Sequence, residues 1–578
     1  MQEAVPMERL LYHVLRAFAR EIKNFPAREP NTMFFKAVPL AFVVFALAAA
    51  SLCPKCHAQP GDGATEQVAK ARSGMEVGVK DSPELMASSL RNAVVESDKI
   101  PDTFDLGSSE NVLWTADLGS ETYGSPVVAN GKIYVGTNNE NGYLDRFPAE
   151  VDLGVLLCFD ESDGKFLWQH SSEKLEEGRY VDWPQQGVCS NAFVDGERLW
   201  FVNNRAEVIC LDTEGFLDGE NDGAKEEANE NKDEADVIWK LDMRKDLGVR
   251  QLYMATCSIT GAGDKIFICT SNGCSADGEV LAPEAPSFLC LDRNTGDVLW
   301  QDNAPGKNIL HGQWSSPAYA ELAGKKQVIF GAGDGWVYSF DADGENGKSK
   351  LLWKFDCNPK AAEYVHGGGG DRFYAVGTPV IYNGLVYMAT GDDPEFCDGK
   401  GHLWCIDPSK TGDVSPTLVT NPKYPDQVIP NRRYLAFVPD EGDVETENPN
   451  SAAVWHYVGA NPAEFETTMH PSIGSPAIKD DLLFITDFSG MLHCLNAKTG
   501  EAYWTYDMFA AVWGSPVIVG NKVLASNEDG DIAVFALSKE QKLIDKPNVE
   551  NSMNTSPVVA NDTLYVTARS KLLAIQKK

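Results

Sequence analysis

The chain has 578 residues, 43% hydrophobic and 10% aromatic, enough for a sizeable core. Its formal net charge is -34. So acidic a surface repels nucleic acid and anionic membranes, which argues against both as partners.

In chain order, the first feature is Lys36 to Ala58, "KAVPLAFVVFALAAASLCPKCHA". A basic flank, an apolar run of about fifteen residues and small residues before "QPGDG" form a secretory signal, short for a membrane span. Residues 1–58 are therefore expected to be a signal region cut after Ala58, with the natural start at Met33. An uncleaved anchor is the other reading. Bulky Leu52 argues against lipidation of Cys53. "CPKCH", Cys53 to His57, has the spacing of covalent haem attachment. It abuts the apolar run, and residues 59–110 are too polar and Gly/Ser-rich to bury a haem, so the end of a signal is preferred. Residues 59–110 are expected to be a polar linker. The mature chain is expected to be exported, periplasmic or cell-envelope associated, with no transmembrane domain after cleavage.

From residue 111 a repeat takes over. One anchor reads "GSPVVANGKIYVGT" at Gly124, "GTPVIYNGLVYMATG" at Gly377, "GSPAIKDDLLFITD" at Gly474, "GSPVIVGNKVLASN" at Gly514 and "TSPVVANDTLYVTA" at Thr555. The other reads "CFDESDGKFLW" at Cys158, "CLDRNTGDVLW" at Cys290 and "CLNAKTGEAYW" at Cys494. Each unit parses as two short strands about an Asn/Gly/Asp turn, a third strand ending in Cys-x-Asp, a turn with glycine, and a fourth strand carrying tryptophan. That is a four-stranded meander of about 40 residues, the size of a propeller blade. Eight anchors begin near Ser125, Ser190, Ser258, Ser316, Thr378, Ser475, Ser515 and Ser556. The last unit lacks a fourth strand, and an unassigned one, "NVLWTADL", lies before the first. An all-β, eight-bladed propeller of four-stranded antiparallel blades over 111–578 is predicted, closed by that amino-terminal strand, which removes an open edge.

Five of the thirteen cysteines, Cys158, Cys210, Cys290, Cys405 and Cys494, share one repeat position and are expected to be buried small side chains rather than bridges. Cys269 with Cys274 and Cys189 with Cys257 are possible disulfides. Trp114, Trp168, Trp239, Trp300, Trp353, Trp455 and Trp504 fall on outermost strands, where they fill the gap between splayed sheets.

The Cys-x-Asp turn and tryptophan together resemble the tryptophan-docking motif of quinoprotein (PQQ-type) eight-bladed propellers, over residues 111 to 575. "GHLWCIDPSKTGDVSP" also resembles PQQ-like repeat proteins of planctomycetes. The superfamily includes PQQ-dependent alcohol and sugar dehydrogenases and the propeller lipoprotein of the outer-membrane barrel-assembly machine, so the resemblance implies a fold more than an activity.

Loops leading into innermost strands and loops joining second to third strands share one face of a propeller. They carry Tyr123, Gln186, Tyr253, His311, Trp314, His366, Asp371, Arg372, Tyr374, His470 and Trp513 toward the axis. Trp314, Arg372, Trp513, Tyr253 and Gln186 form a candidate axial pocket in which a planar ligand stacks on tryptophan and Arg372 pairs a carboxylate. His311, His366 and His470 are a candidate metal set if their nitrogens converge. The resemblance adds a vicinal Cys-Cys disulfide, a calcium site and an Asp base for a PQQ dehydrogenase. No adjacent cysteines occur, and no stretch reproduces the other motifs. "DGENDG", Asp218 to Gly223, lacks an EF-hand's closing Glu and reads as a solvated acidic loop. The expectation is a non-catalytic monomer with no assigned catalytic residue and no cofactor, binding proteins or a small ligand through its top-face loops. A dehydrogenase with PQQ and calcium at the axis is the alternative.

Overall fold

The repeat's short strands assemble as their alternation requires. In this computed structural model, residues 63–578 are described, apart from 224–226, 395, 398 and 424–437. Residues Gln59–Lys578 form one unit. The signal region and the "CPKCH" motif lie outside the described residues.

The first blade runs Val127–Ala129, Lys132–Asn138, Leu153–Asp160 and Phe166–Glu173, each strand antiparallel to the next. Seven further sheets follow the same order, so the ring has eight blades. In the last, Val558–Ala560, Thr563–Ala568 and Lys571–Ile575 are completed by Val112–Asp117, which pairs antiparallel with Lys571–Ile575. The amino-terminal strand thus closes the ring, as predicted.

The cysteine and the tryptophan are cross-strand partners. Cys158 lies opposite Trp168, Cys210 opposite Trp239, Cys290 opposite Trp300, Cys405 opposite Trp455 and Cys494 opposite Trp504. Ser339 and Ala574 take the cysteine's place opposite Trp353 and Trp114. A small residue is thus kept beside the indole, with an irregularity in the ladder next to the pair.

Each indole then reaches the next blade. Trp114 Nε1 donates to Glu161 O at 3.2 Å, Trp168 to Thr213 O at 3.2 Å, Trp300 to Ala342 O at 3.1 Å and Trp455 to Ala497 O at 2.9 Å. The acceptor sits in the turn that the acidic residue shapes: Asp160 Oδ1 accepts from Ser162 N, and Asp292 Oδ1 from Asn294 N, both at 2.8 Å. The turn glycine lies against the ring. A Cβ on Gly164, which has φ +71°, would stand 2.4 Å from Trp114. Between the fourth and fifth blades the bond is relayed: Trp353 donates to Gln327 Oε1, whose amide donates to Pro408 O.

A second ring of bonds surrounds the axis. The amide of Ser258 donates to Ser316 Oγ, Ser475 to Ser515, Ser515 to Ser556 and Ser556 to Ser125, at 2.8–3.1 Å. The amides of Asn191 and Thr378 donate in the same way to Ser258 and Ser475. The anchor serine is therefore a blade-to-blade acceptor.

Residues 59–110, expected as a linker, include a segment laid across the ring's inner edge. Ser82 exchanges both backbone bonds with Val128 of the first blade, and Val194 N donates to Pro83 O. Tyr319 N donates to Ser89 O, Ile381 N to Leu90 O, and Ile518 N to Ala93 O. Asn92 exchanges two side-chain bonds with the Ile478 backbone, Asn561 N donates to Lys80 O, and Arg91 reaches Ile259 O of the third blade. Every blade is engaged. An innermost strand leaves unpaired backbone groups facing the channel, and residues 80–95 satisfy a share of them.

The eleven described cysteines are buried and free, so neither suggested disulfide forms. Instead the Cys269 amide donates to Cys257 Sγ at 3.1 Å. The acidic insertion of the second blade is pinned at its end by an ion pair of Glu234 with Arg146. The long connection between the third and fourth strands of the fifth blade, residues 407–452, adds Gly412–Asp413 as a parallel fifth strand beside Leu351–Asp356 of the fourth. Among the described residues no helix is long and apolar enough to cross a membrane.

Candidate functional site

The serine collar, the loops above it and the inner segment below it enclose a chamber of about 360 Å³ on the axis. Its wall carries Ser125, Ser258, Ser316, Thr378, Ser475, Ser515 and Ser556, and Leu85 and Met86 of the inner segment also line it. Aromatic rings from the top-face loops complete it: Tyr123, Trp183, Tyr253, Trp314 and Trp513. Tyr253 stacks on Trp314 with centroids 6.1 Å apart, Trp183 meets Tyr253 edge-on at 5.4 Å, and Tyr123 meets Trp513 edge-on at 5.9 Å.

Four of the five residues expected in an axial pocket line this chamber: Trp314, Trp513, Tyr253 and Gln186. Arg372 does not. It is buried in an ion pair with Asp356 at 2.6 Å and donates to Asp334 O at 3.1 Å. Burial works against the Asp356 carboxylate, yet Arg372 and Lys360 hold it below its ordinary range. This charge cluster sits under the loops of the fourth blade and ties them down.

The three histidines are held apart by separate partners. His366 Nδ1 lies 3.1 Å from Ile309 O, and His470 Nδ1 lies 3.0 Å from Asp487 Oδ2. His311 is buried among Tyr253, Trp314, Tyr374 and Phe396, with neither ring nitrogen hydrogen-bonded. Burial pushes its pKa down to about 4, so it is neutral at pH 7. Among the described residues no three His, Cys, Asp or Glu side chains cluster so as to hold a metal ion. His311, His366 and His470, the candidate metal set, are thus each held by different neighbours.

Among the lining residues that escaped the sequence reading are Trp183 and Asp393. Trp183 stands three positions before Gln186, in "DWPQQG", a stretch that leads into the second blade's innermost strand. Asp393 stands in "GDDPEF", just after the second strand of the fifth blade. Asp393 is the only charged side chain among the described residues lining the chamber. Its Oδ2 lies 3.9 Å from His311 Nε2. Burial pushes the Cys189 thiol up to about 12 and the Tyr123 phenol up to about 12, so neither is ionised at neutral pH. Gln186 Nε2 faces Tyr123 Oη at 3.4 Å, and its Oε1 is buried without a hydrogen-bond partner.

The family described as outer membrane protein assembly factor BamB matches residues 289–578, half of the chain. The chain belongs to the BamB family. This fits the resemblance to PQQ-like propellers, since the eight-bladed ring is the fold of both. Three solved structures illustrate the likeness. BamB from Moraxella catarrhalis is 15% identical over 80% of this chain and 98% of its own, with a TM-score of 0.47. Quinohemoprotein alcohol dehydrogenase from Comamonas testosteroni is 12% identical over 90% of this chain and 83% of its own, at 0.51. A europium-containing methanol dehydrogenase is 12% identical over 88% of this chain and 100% of its own, also at 0.51. At such identities the dehydrogenases speak for the fold alone. No curated protein matches the chain.

Proposed function

We propose that this BamB-family propeller is a non-catalytic binding module of the cell envelope, exported by its amino-terminal signal and engaging its ligand or partner through the axial chamber and the loops around it. One observation carries the reading. The chamber is large enough for a ligand, and its described lining is made mostly of aromatic rings, small residues and hydroxyls, with its thiol and its Tyr123 phenol both held protonated. Aromatic rings and unionised hydroxyls suit recognition better than bond cleavage.

The same lining fits a PQQ cofactor poorly. That quinone is a polycarboxylate and needs cationic partners. Among the described residues the chamber has none, and Arg372 is committed to Asp356. No step is therefore assigned to PQQ.

The test is direct. Purified protein incubated with PQQ and calcium is expected to reduce no artificial electron acceptor with primary alcohols or aldoses, and to show no haem absorbance. Dye reduction under these conditions overturns the binding-module reading. Amino-terminal sequencing of protein from fractionated cells is expected to find the first residue at Gln59, in the periplasmic or envelope fraction. A cytoplasmic, uncut chain overturns the assignment of compartment.

A further inference from the structure

The geometry points to an organic cation, an alkylammonium or guanidinium group, as what the axial chamber binds; this rests on the chamber being a binding site. Three observations converge. First, five aromatic side chains line one chamber, and tryptophan and tyrosine rings attract cations through their quadrupoles. Second, the electrostatics favour one sign. Asp393 is the only charged side chain among the described lining residues. At the rim, the Trp513 indole donates to the carboxylate of exposed Glu528 at 3.2 Å, orienting the ring beside a second negative charge. Third, one acceptor of the lining is unmet: Gln186 Oε1 is buried with no donor to it. An ammonium or guanidinium brings donors and positive charge together and meets all three.

The rim already seats such a group from this chain. The guanidinium of Arg179 stands 4.9 Å from the Tyr180 ring centroid and 5.9 Å from that of Trp183, a chamber residue. The other nearby guanidinium, Arg569, is paired with Glu121. An anionic ligand would meet the carboxyl of Asp393 in a described lining that holds no cationic side chain.

The cation can belong to a small amine or to a Lys or Arg side chain of a partner protein. Calorimetry and tryptophan fluorescence on the full purified chain separate these sources. The probes are tetramethylammonium chloride, arginine methyl ester, a short Arg- and Lys-containing peptide, glucose as a neutral control and PQQ as an anionic one. Saturable binding of the cationic probes is expected, with none of glucose or PQQ. Asp393→Asn should weaken it at least about tenfold, while its melting curve stays that of the parent. Comparable affinity for free and peptide-borne cations supports a small-molecule ligand. Peptide affinity more than about tenfold tighter supports a protein partner. Binding of glucose or PQQ without the cations overturns the assigned charge and leaves a binding chamber standing. Absence of binding by every probe, or cation binding unchanged in both Asp393→Asn and Trp314→Leu, overturns the inference. Acceptor reduction with PQQ overturns the binding-module reading itself.

Discussion

Arg91 is wholly buried beneath the chamber, and its guanidinium donates to Pro317 O at 2.9 Å, Leu85 O at 2.8 Å, Ile259 O at 3.1 Å and Glu84 Oε2 at 3.1 Å. It thereby ties the inner segment to two blades at once. Arg91→Ala leaves Glu84 and several carbonyls buried without a donor, and about 3–5 kcal/mol should be lost, read from urea midpoints. The deficit should depend on pH. Burial raises the Glu84 pKa to about 7, with Arg91 restraining it. The folded state thus holds a proton that the unfolded chain releases near 4.5. The stability this contributes is full below that value and lost as pH rises through about 7. Without Arg91 the ionised carboxylate has no partner, so the variant should fall further below the parent at pH 8 than at pH 5.5. An equal deficit at both would show that Glu84 does not carry it. The cysteines offer a second test at this scale. Cys158 is buried opposite Trp168, a position where two other blades carry serine or alanine. Cys158→Ala should cost less than about 1.5 kcal/mol, and Cys158→Leu about 1–3 kcal/mol by overpacking, with the larger residue displacing the indole's near-ultraviolet dichroism.

At the scale of elements, the anchor serines predict their own contribution. Ser515 Oγ accepts the Ser475 amide at 2.9 Å, and Ser515 is buried. Ser515→Ala orphans that amide and should cost about 1–3 kcal/mol, whereas Ser515→Thr, which keeps the acceptor and resembles Thr378 in the fifth blade, should cost less. Hydrogen exchange at the Ser475 amide is the direct measure. The blades were legible because each must alternate apolar and polar residues and turn at Gly or Asn, and those demands recur with the repeat. The inner segment was not. Residues 80–95 pair mostly through backbone groups, which leave no mark on side-chain pattern, so "DSPELMASSLRNAVV" reads as linker. The chamber was half legible. Trp314 and Trp513 each stand two positions before an anchor serine, Ser316 and Ser515, a position fixed by the repeat. Arg372 and the histidines stand in longer loops, where sequence does not say whether a side chain turns to the axis or back to Asp356 and Asp487.

For the whole molecule, the closing strand and the inner segment are both local in sequence and global in contact. Removing residues 80–95 uncovers inner backbone groups in every blade. At about 1 kcal/mol for each lost bond, the loss is on the order of 10 kcal/mol. Such a variant should unfold at a markedly lower urea concentration and form higher-order species on gel filtration through its freed edges. A monomer of parental stability would show that the segment only fills space.

The segment that touches all eight blades also sets an order of events. Lys80, and Asp117 of the closing strand, come early among the described residues, yet their partners Asn561 and Lys571 come last. Loops of several hundred residues must be spanned before either contact forms. The nascent chain therefore cannot lock while its tail is still being made or moved, and native structure arrives only after the final blade has been delivered. A protein wired this way is held open through synthesis by its own topology, and its ring closes late.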